Sequence, residues 1–156
     1  MTSDERTTPS LGPGDVIVRS TGPRYTQEVL TAEHRLTADE PAAVGGDGLG
    51  PTPYDLLLAS LGACKSMTLR MYAKRKGWAL EGVEVRLRHS REHARDCETC
   101  ESSDGVLSRI DVELEIRGDL DEEQRLRLAE ISDRCPVHRT LMREADIRTQ
   151  LLDTAS

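Results

Sequence analysis

The sequence predicts an α+β domain, and three observations carry that prediction. Stretches of alternating apolar residues gather near the N-terminus and again in the middle of the chain. Between them lies one long apolar segment with helix-capping residues at both ends. Strands and helices come in runs, with little of the strand–helix–strand alternation that builds a parallel sheet. The 156 residues suffice for one domain with a real core. Residues 1–14, rich in Thr, Pro, Gly and Ser, read as a flexible arm, and residues 15–156 as the single domain.

The first elements are two β-prone stretches, "DVIVRS" and "RYTQEVLTAEHRLTA", separated by the turn former "TGP". The glycine-rich loop "DEPAAVGGDGLGPTP" follows. A helix then begins near Pro53, with Thr52 as N-cap, proline at the first helical position and Asp55 three residues after the cap. Leu56, Leu57, Leu58, Leu61 and the small residues around them make it apolar on most sides, as in a helix covered on most sides. It turns basic at "RMYAKRK" and stops at Gly77. "GVEVRLRH" and "LSRIDVELEIRG" alternate as two half-buried strands that can pair as a hairpin, with "SREHARDCETCESSDG" as an excursion at its tip. A second helix is expected from about Asp121 to Arg134, a short third from Pro136 to about Glu144, and "IRTQLL" as an edge strand.

Composition excludes several functions. A net charge of -7 argues against nucleic acid, whose phosphates attract clustered Lys and Arg. No stretch approaches the ~20 apolar residues of a membrane span. The polar, acid-bearing N-terminus is unlike a secretory leader, so a cytoplasmic protein is expected. In that compartment Cys64, Cys97, Cys100 and Cys135 read as redox or metal candidates more than as a structural disulfide framework.

Cys64 sits inside the long helix, where the dipole does nothing for a thiolate; it is either a buried filler or a nucleophile activated by an imported cation. Cys135, in "DRCPVHRTL", precedes a proline that can start a helix. Its sulfur can then face unpaired backbone N–H groups that favour thiolate, or it merely caps. His89, His93, Cys97 and Cys100 are spaced as zinc ligands or as a reversible C-x2-C disulfide, and a solvated loop accounts for them equally. The glycine-rich loop lacks the Gly-Lys-Ser/Thr ending of a phosphate loop.

"GGDGLGPTPYDLLLASLGAC" and, about seventy residues later, "CPVHRTL" closely resemble the OsmC/Ohr family of thiol peroxidases, in its OsmC-like branch. The resemblance spans roughly residues 15 to 153 and implies an OsmC-like fold, with antiparallel sheets around long central helices in an intertwined homodimer. It implies a peroxidase of small organic hydroperoxides, possible with hydrogen peroxide too, that uses no metal or organic cofactor and is reset by a dithiol reductant. On this resemblance Cys64 is the peroxidatic thiolate, Cys135 condenses with its sulfenic acid to a disulfide, and Arg24 is the activating cation. The family's organic hydroperoxide resistance branch holds that arginine with a glutamate at the position of Tyr54. Here the acid is one residue later, at Asp55, displaced ~100° around the helix. Asp55 reads first as the capping-box acid and, on the resemblance, as a possible orienting acid. The reading from another class is a redox-sensing or metal-binding dimer that works through His89, His93, Cys97 and Cys100.

Overall fold

Alternating apolar residues need a partner strand before they form a ladder, and the N-terminal third of the chain supplies three. The structure, a computed structural model, describes residues 10–93, 106–143 and 145–152. They fall into two compact units, Met1–Leu57 and Leu58–Ser156.

In the first unit β1 (Ile17–Ser20), β2 (Gln27–Leu30) and β3 (Arg35–Ala38) form an antiparallel sheet in sequence order. Val18 lies opposite Val29, which lies opposite Leu36, so one apolar row crosses the sheet. The second β-prone stretch of the sequence is therefore two strands. The break comes at Thr31–His34, where the Thr31 backbone N–H donates to the His34 carbonyl and the His34 N–H to the Thr31 hydroxyl. A side chain that satisfies the backbone locally offers an alternative to the ladder, and alternation alone does not reveal it.

Asp39 follows β3 and organises the glycine-rich loop. Its side chain is buried and accepts from the Thr26 hydroxyl and from the backbone N–H groups of Glu40, Asp47 and Leu49, at 2.8 to 3.2 Å. Burial works to raise its pKa, but these donors win and hold the carboxyl below the usual carboxylate range. A depressed folded pKa contributes stability above the unfolded value of about 4 that is lost as pH falls through the folded one. Asp39→Asn is therefore expected to flatten the acid limb of stability, read as hydrogen exchange of the 39–50 amides between neutral pH and pH 3. An unchanged acid limb would show that the carboxylate does not anchor the loop.

Helix α1 (Pro53–Lys76) starts as the sequence predicts. The Asp55 carboxylate accepts from the Thr52 N–H (2.9 Å) and hydroxyl (2.8 Å), while the Asp55 N–H donates to the Thr52 hydroxyl (3.1 Å), a reciprocal capping box. Its end is set by Gly77, whose φ of 69° lies in the left-handed region that glycine adopts without strain. The Trp78 N–H then reaches back to the Ala73 carbonyl.

The second unit is a hairpin with helices. β4 (Ala79–His93) and β5 (Val106–Asp119) pair antiparallel along their length, with one register shift between Leu80 and Gly82. Both strands extend beyond their alternating cores, so residues 90–93 of the excursion the sequence suggests belong to β4, and the rest of it lies outside the described residues. α2 (Glu122–Ser132) opens on a capping box between Asp121 and Gln124. α3 (Pro136–Leu141) is one short helix capped by Cys135. Leu69 and Ala73 of α1 meet Leu128 and Ile131 of α2 and Leu120 before it, with Tyr72, Trp78, Leu80, Val83, Leu114 and Ile116 packed around them. At Gly62 the helix comes so close to β4 that a Cβ would lie 2.8 Å from a Leu87 methyl.

One expectation is corrected by the fold, and the cover expected around α1 is seen only for the part that this chain itself supplies. Within the single chain α1 is buried along one face only: Leu61, Gly62, Lys65, Leu69 and Ala73 are inside, whereas Met67 and Met71 are exposed. One hairpin and one helix can cover one side of a cylinder. The expected C-terminal edge strand is absent from the described residues 145–152, where Ile147, Leu151 and Leu152 are all exposed. A strand needs a ladder, and none of the described strands pairs with that segment.

Candidate active site

Two thiols far apart in sequence meet in the second unit. Cys64 is half-buried on α1 and Cys135 is fully buried; both are free. Cys135 adopts extended backbone (φ -64°, ψ 145°) ahead of Pro136, and its sulfur accepts from the His138 N–H at 3.3 Å, as expected of a helix cap. The Cys64 thiol is near enough to act electrostatically on the Cys135 sulfur.

The cap does not make Cys135 the acidic thiol that its position suggests. Burial is the largest influence and pushes its pKa up, and the hydrogen bond and charge of Cys64 push the same way. The His138 N–H and the Lys65 ammonium oppose them and are overcome. Sequence position shows the helix end but not that the sulfur is 0% exposed, and desolvation penalises the charged form.

Beside the thiols stands a lysine that sequence reasoning missed. Lys65 is 1% exposed, and its ammonium donates to the Ser132 carbonyl (3.2 Å) and pairs with the Asp133 carboxylate (2.8 Å). That ion pair is the main cause holding the Asp133 carboxyl below its usual range. His138 Nδ1 lies 3.8 Å from the same carboxylate oxygen. A signal was available: Lys65 is four residues from both Leu61 and Leu69, so helical periodicity puts a cation on the apolar stripe.

The other site candidates lie in the first unit. Arg24 falls in the turn between β1 and β2, and its guanidinium pairs with Asp47 of the glycine-rich loop at 2.8 Å. Asp47 is the acid at this arginine, while Asp55 is committed to the α1 cap, with its pKa lowered chiefly by the Thr52 N–H. Tyr54 is exposed on the first turn of α1. Asp39 takes the backbone N–H of Asp47, so the buried carboxylate holds the loop that presents the exposed one.

Of the alternative cluster, His89 lies on β4 opposite Ile110, and His93 ends the strand. Cys97 and Cys100 lie outside the described residues. Among the described residues no group of three or more His, Cys, Asp or Glu is placed to hold a metal ion.

A small α+β protein with one thiol on a long helix and a second capping a short helix against it is a thiol-pair protein. Residues 45–150 match the family model described as OsmC-like protein, and the chain belongs to that family. No curated protein sequence gives a match. Among solved structures it is similar to an OsmC-like protein from Mycoplasma pneumoniae, with 22% identity, a TM-score of 0.66, and 82% of this chain and 86% of that one covered. An OsmC organic hydroperoxide resistance protein from Legionella pneumophila shares 22% identity at a TM-score of 0.59, covering 83% and 90%. The organic hydroperoxide resistance protein OhrB of Bacillus subtilis shares 22% at 0.55, covering 80% and 88%. At these identities the likeness is one of fold.

Proposed function

We propose that the protein is a thiol peroxidase that reduces organic hydroperoxides through Cys64 and Cys135. The observation that carries this reading is a pair of free thiols from distant parts of the sequence that interact electrostatically, one partly open to solvent and one buried. A hydroperoxide meets Cys64 first. Its thiolate attacks the O–O bond, which breaks, releasing an alcohol once the departing oxygen takes a proton and leaving a sulfenic acid on Cys64. The Cys135 sulfur then attacks the Cys64 sulfur; the S–S bond forms, the S–O bond breaks, and water leaves. A dithiol returns the two electrons.

Arg24 enters this reading from the family pattern, as the cation that favours the Cys64 thiolate, with Asp47 in place of the family's glutamate as the acid that orients it. The family pattern also makes the working unit a homodimer, and the exposed Met67 and Met71 on α1 supply an apolar face for a second copy. Among the described residues no helix is long and apolar enough to cross a membrane.

The test is to mix the reduced protein with cumene hydroperoxide and a dithiol, follow peroxide loss, and map disulfides by mass spectrometry after a single turnover. Thiol-dependent consumption with a Cys64–Cys135 disulfide is the expected result. No consumption, or a disulfide confined to Cys97 and Cys100, would overturn the reading.

A further inference from the structure

A buried lysine beside a cysteine is an unusual choice, because an apolar residue of similar volume would fill the same space without burying a charge. Lys65 follows Cys64 directly on α1, and its ammonium is bonded at the C-terminal end of α2, to the Ser132 carbonyl and the Asp133 carboxylate. The Ser132 carbonyl also receives the Cys135 N–H at 3.4 Å. The residue after one sulfur is thereby tied to the turn that carries the other. Asp133 is the cap of α2, where unpaired carbonyls make the helix end negative and suit a cation.

We propose that Lys65 is a positioning residue of the thiol pair, clamping the Cys135 turn onto the Cys64 helix so that the two sulfurs stay in disulfide register. A disulfide tolerates a narrow range of Cβ separation and torsion, and the two cysteines reach the chain by separate elements. The ammonium fixes one element to the other through two charge-assisted hydrogen bonds. In the resolving step it also places a positive charge near the Cys135 sulfur as its proton departs with the hydroxide that becomes water.

This inference rests on the Cys64–Cys135 disulfide of the proposed function, and its test contains no peroxide. The reduced protein is equilibrated with mixtures of reduced and oxidised glutathione, and the fraction of Cys64–Cys135 disulfide is read by mass spectrometry for wild type, Lys65→Met and Asp133→Ala. Thermal unfolding is measured alongside. The Lys65→Met equilibrium is expected to shift about tenfold toward the dithiol, as loss of hydrogen bonds to a charged group implies, with a smaller shift in Asp133→Ala. The Asp133 side chain is 64% exposed, so that variant reports even where Lys65→Met does not fold. A merely structural lysine would lower the melting temperature and leave the glutathione equilibrium as in wild type; that outcome, or an unshifted equilibrium in the folded Asp133→Ala protein, overturns the proposal. Wild type that forms the disulfide from glutathione but consumes no hydroperoxide would instead refute the peroxidase reading and leave the clamp standing.

Discussion

Cys64→Ser is expected to abolish hydroperoxide turnover, with a loss on the order of a thousandfold or more. The serine hydroxyl is nearly the same size, so the helix keeps its packing. It ionises far less readily than a thiol, and its oxygen cannot accept the oxygen atom that makes a sulfenic acid. Cys135→Ser should behave differently. Serine is a favoured N-cap, so α3 keeps its start, and Cys64 keeps its first attack. Stopped-flow measurement without added thiol should show rapid loss of a single peroxide, after which Cys64 stalls as sulfenic acid and passes to sulfinic acid with excess peroxide. Comparing the two variants assigns the order of the steps. Wild-type turnover in Cys64→Ser would remove this cysteine from the mechanism altogether.

Leu128→Ala carries the largest expected effect on stability. Leu128 is fully buried in α2, where it joins Leu69 and Ala73 of α1 in one apolar cluster. Truncating such a leucine costs about 2–5 kcal/mol, the transfer term of the lost methyl groups plus the cavity left behind. The readout is convenient because Trp78 is the only tryptophan and packs against this cluster, edge-on to Tyr72 with ring centroids 5.5 Å apart. Denaturant unfolding followed by its fluorescence should report the loss. A change below about 1 kcal/mol would show that the seam between α1 and α2 closes over the gap. The same seam holds the Cys135 turn against α1, so the variant should also weaken the Cys64–Cys135 equilibrium.

Local signals in the sequence reach as far as local physics. Thr52, Pro53 and Asp55 define the start of α1, and the alternation of Val83, Val85 and Leu87 against Ile116, Leu114 and Val112 defines the hairpin, because caps and period-2 patterns act over a few residues. The pairing of Cys64 with Cys135 is legible only as a family resemblance, since nothing short-range brings them together. What escapes is whatever depends on burial from elsewhere: Cys135 at a helix start reads as acidic until desolvation is added. The Lys65 link to Asp133 and the Arg24 link to Asp47 join residues separated along the chain, and charges of opposite sign are too common in a sequence to be matched without coordinates. The C-terminal "IRTQLL" fails for the opposite reason, because its propensity is real and none of the described strands offers it a ladder.

The unequal exposure of the two sulfurs also governs how an oxidised pair would be reopened. An incoming thiolate can reach the half-buried Cys64 sulfur but not the enclosed Cys135, so the mixed disulfide forms on Cys64 and Cys135 is the leaving group. Leaving groups of raised pKa depart slowly, and burial raises this one. Small monothiols should therefore open the bond sluggishly, while a dithiol gains from its second sulfur, which expels Cys64 before Cys135 can return to it.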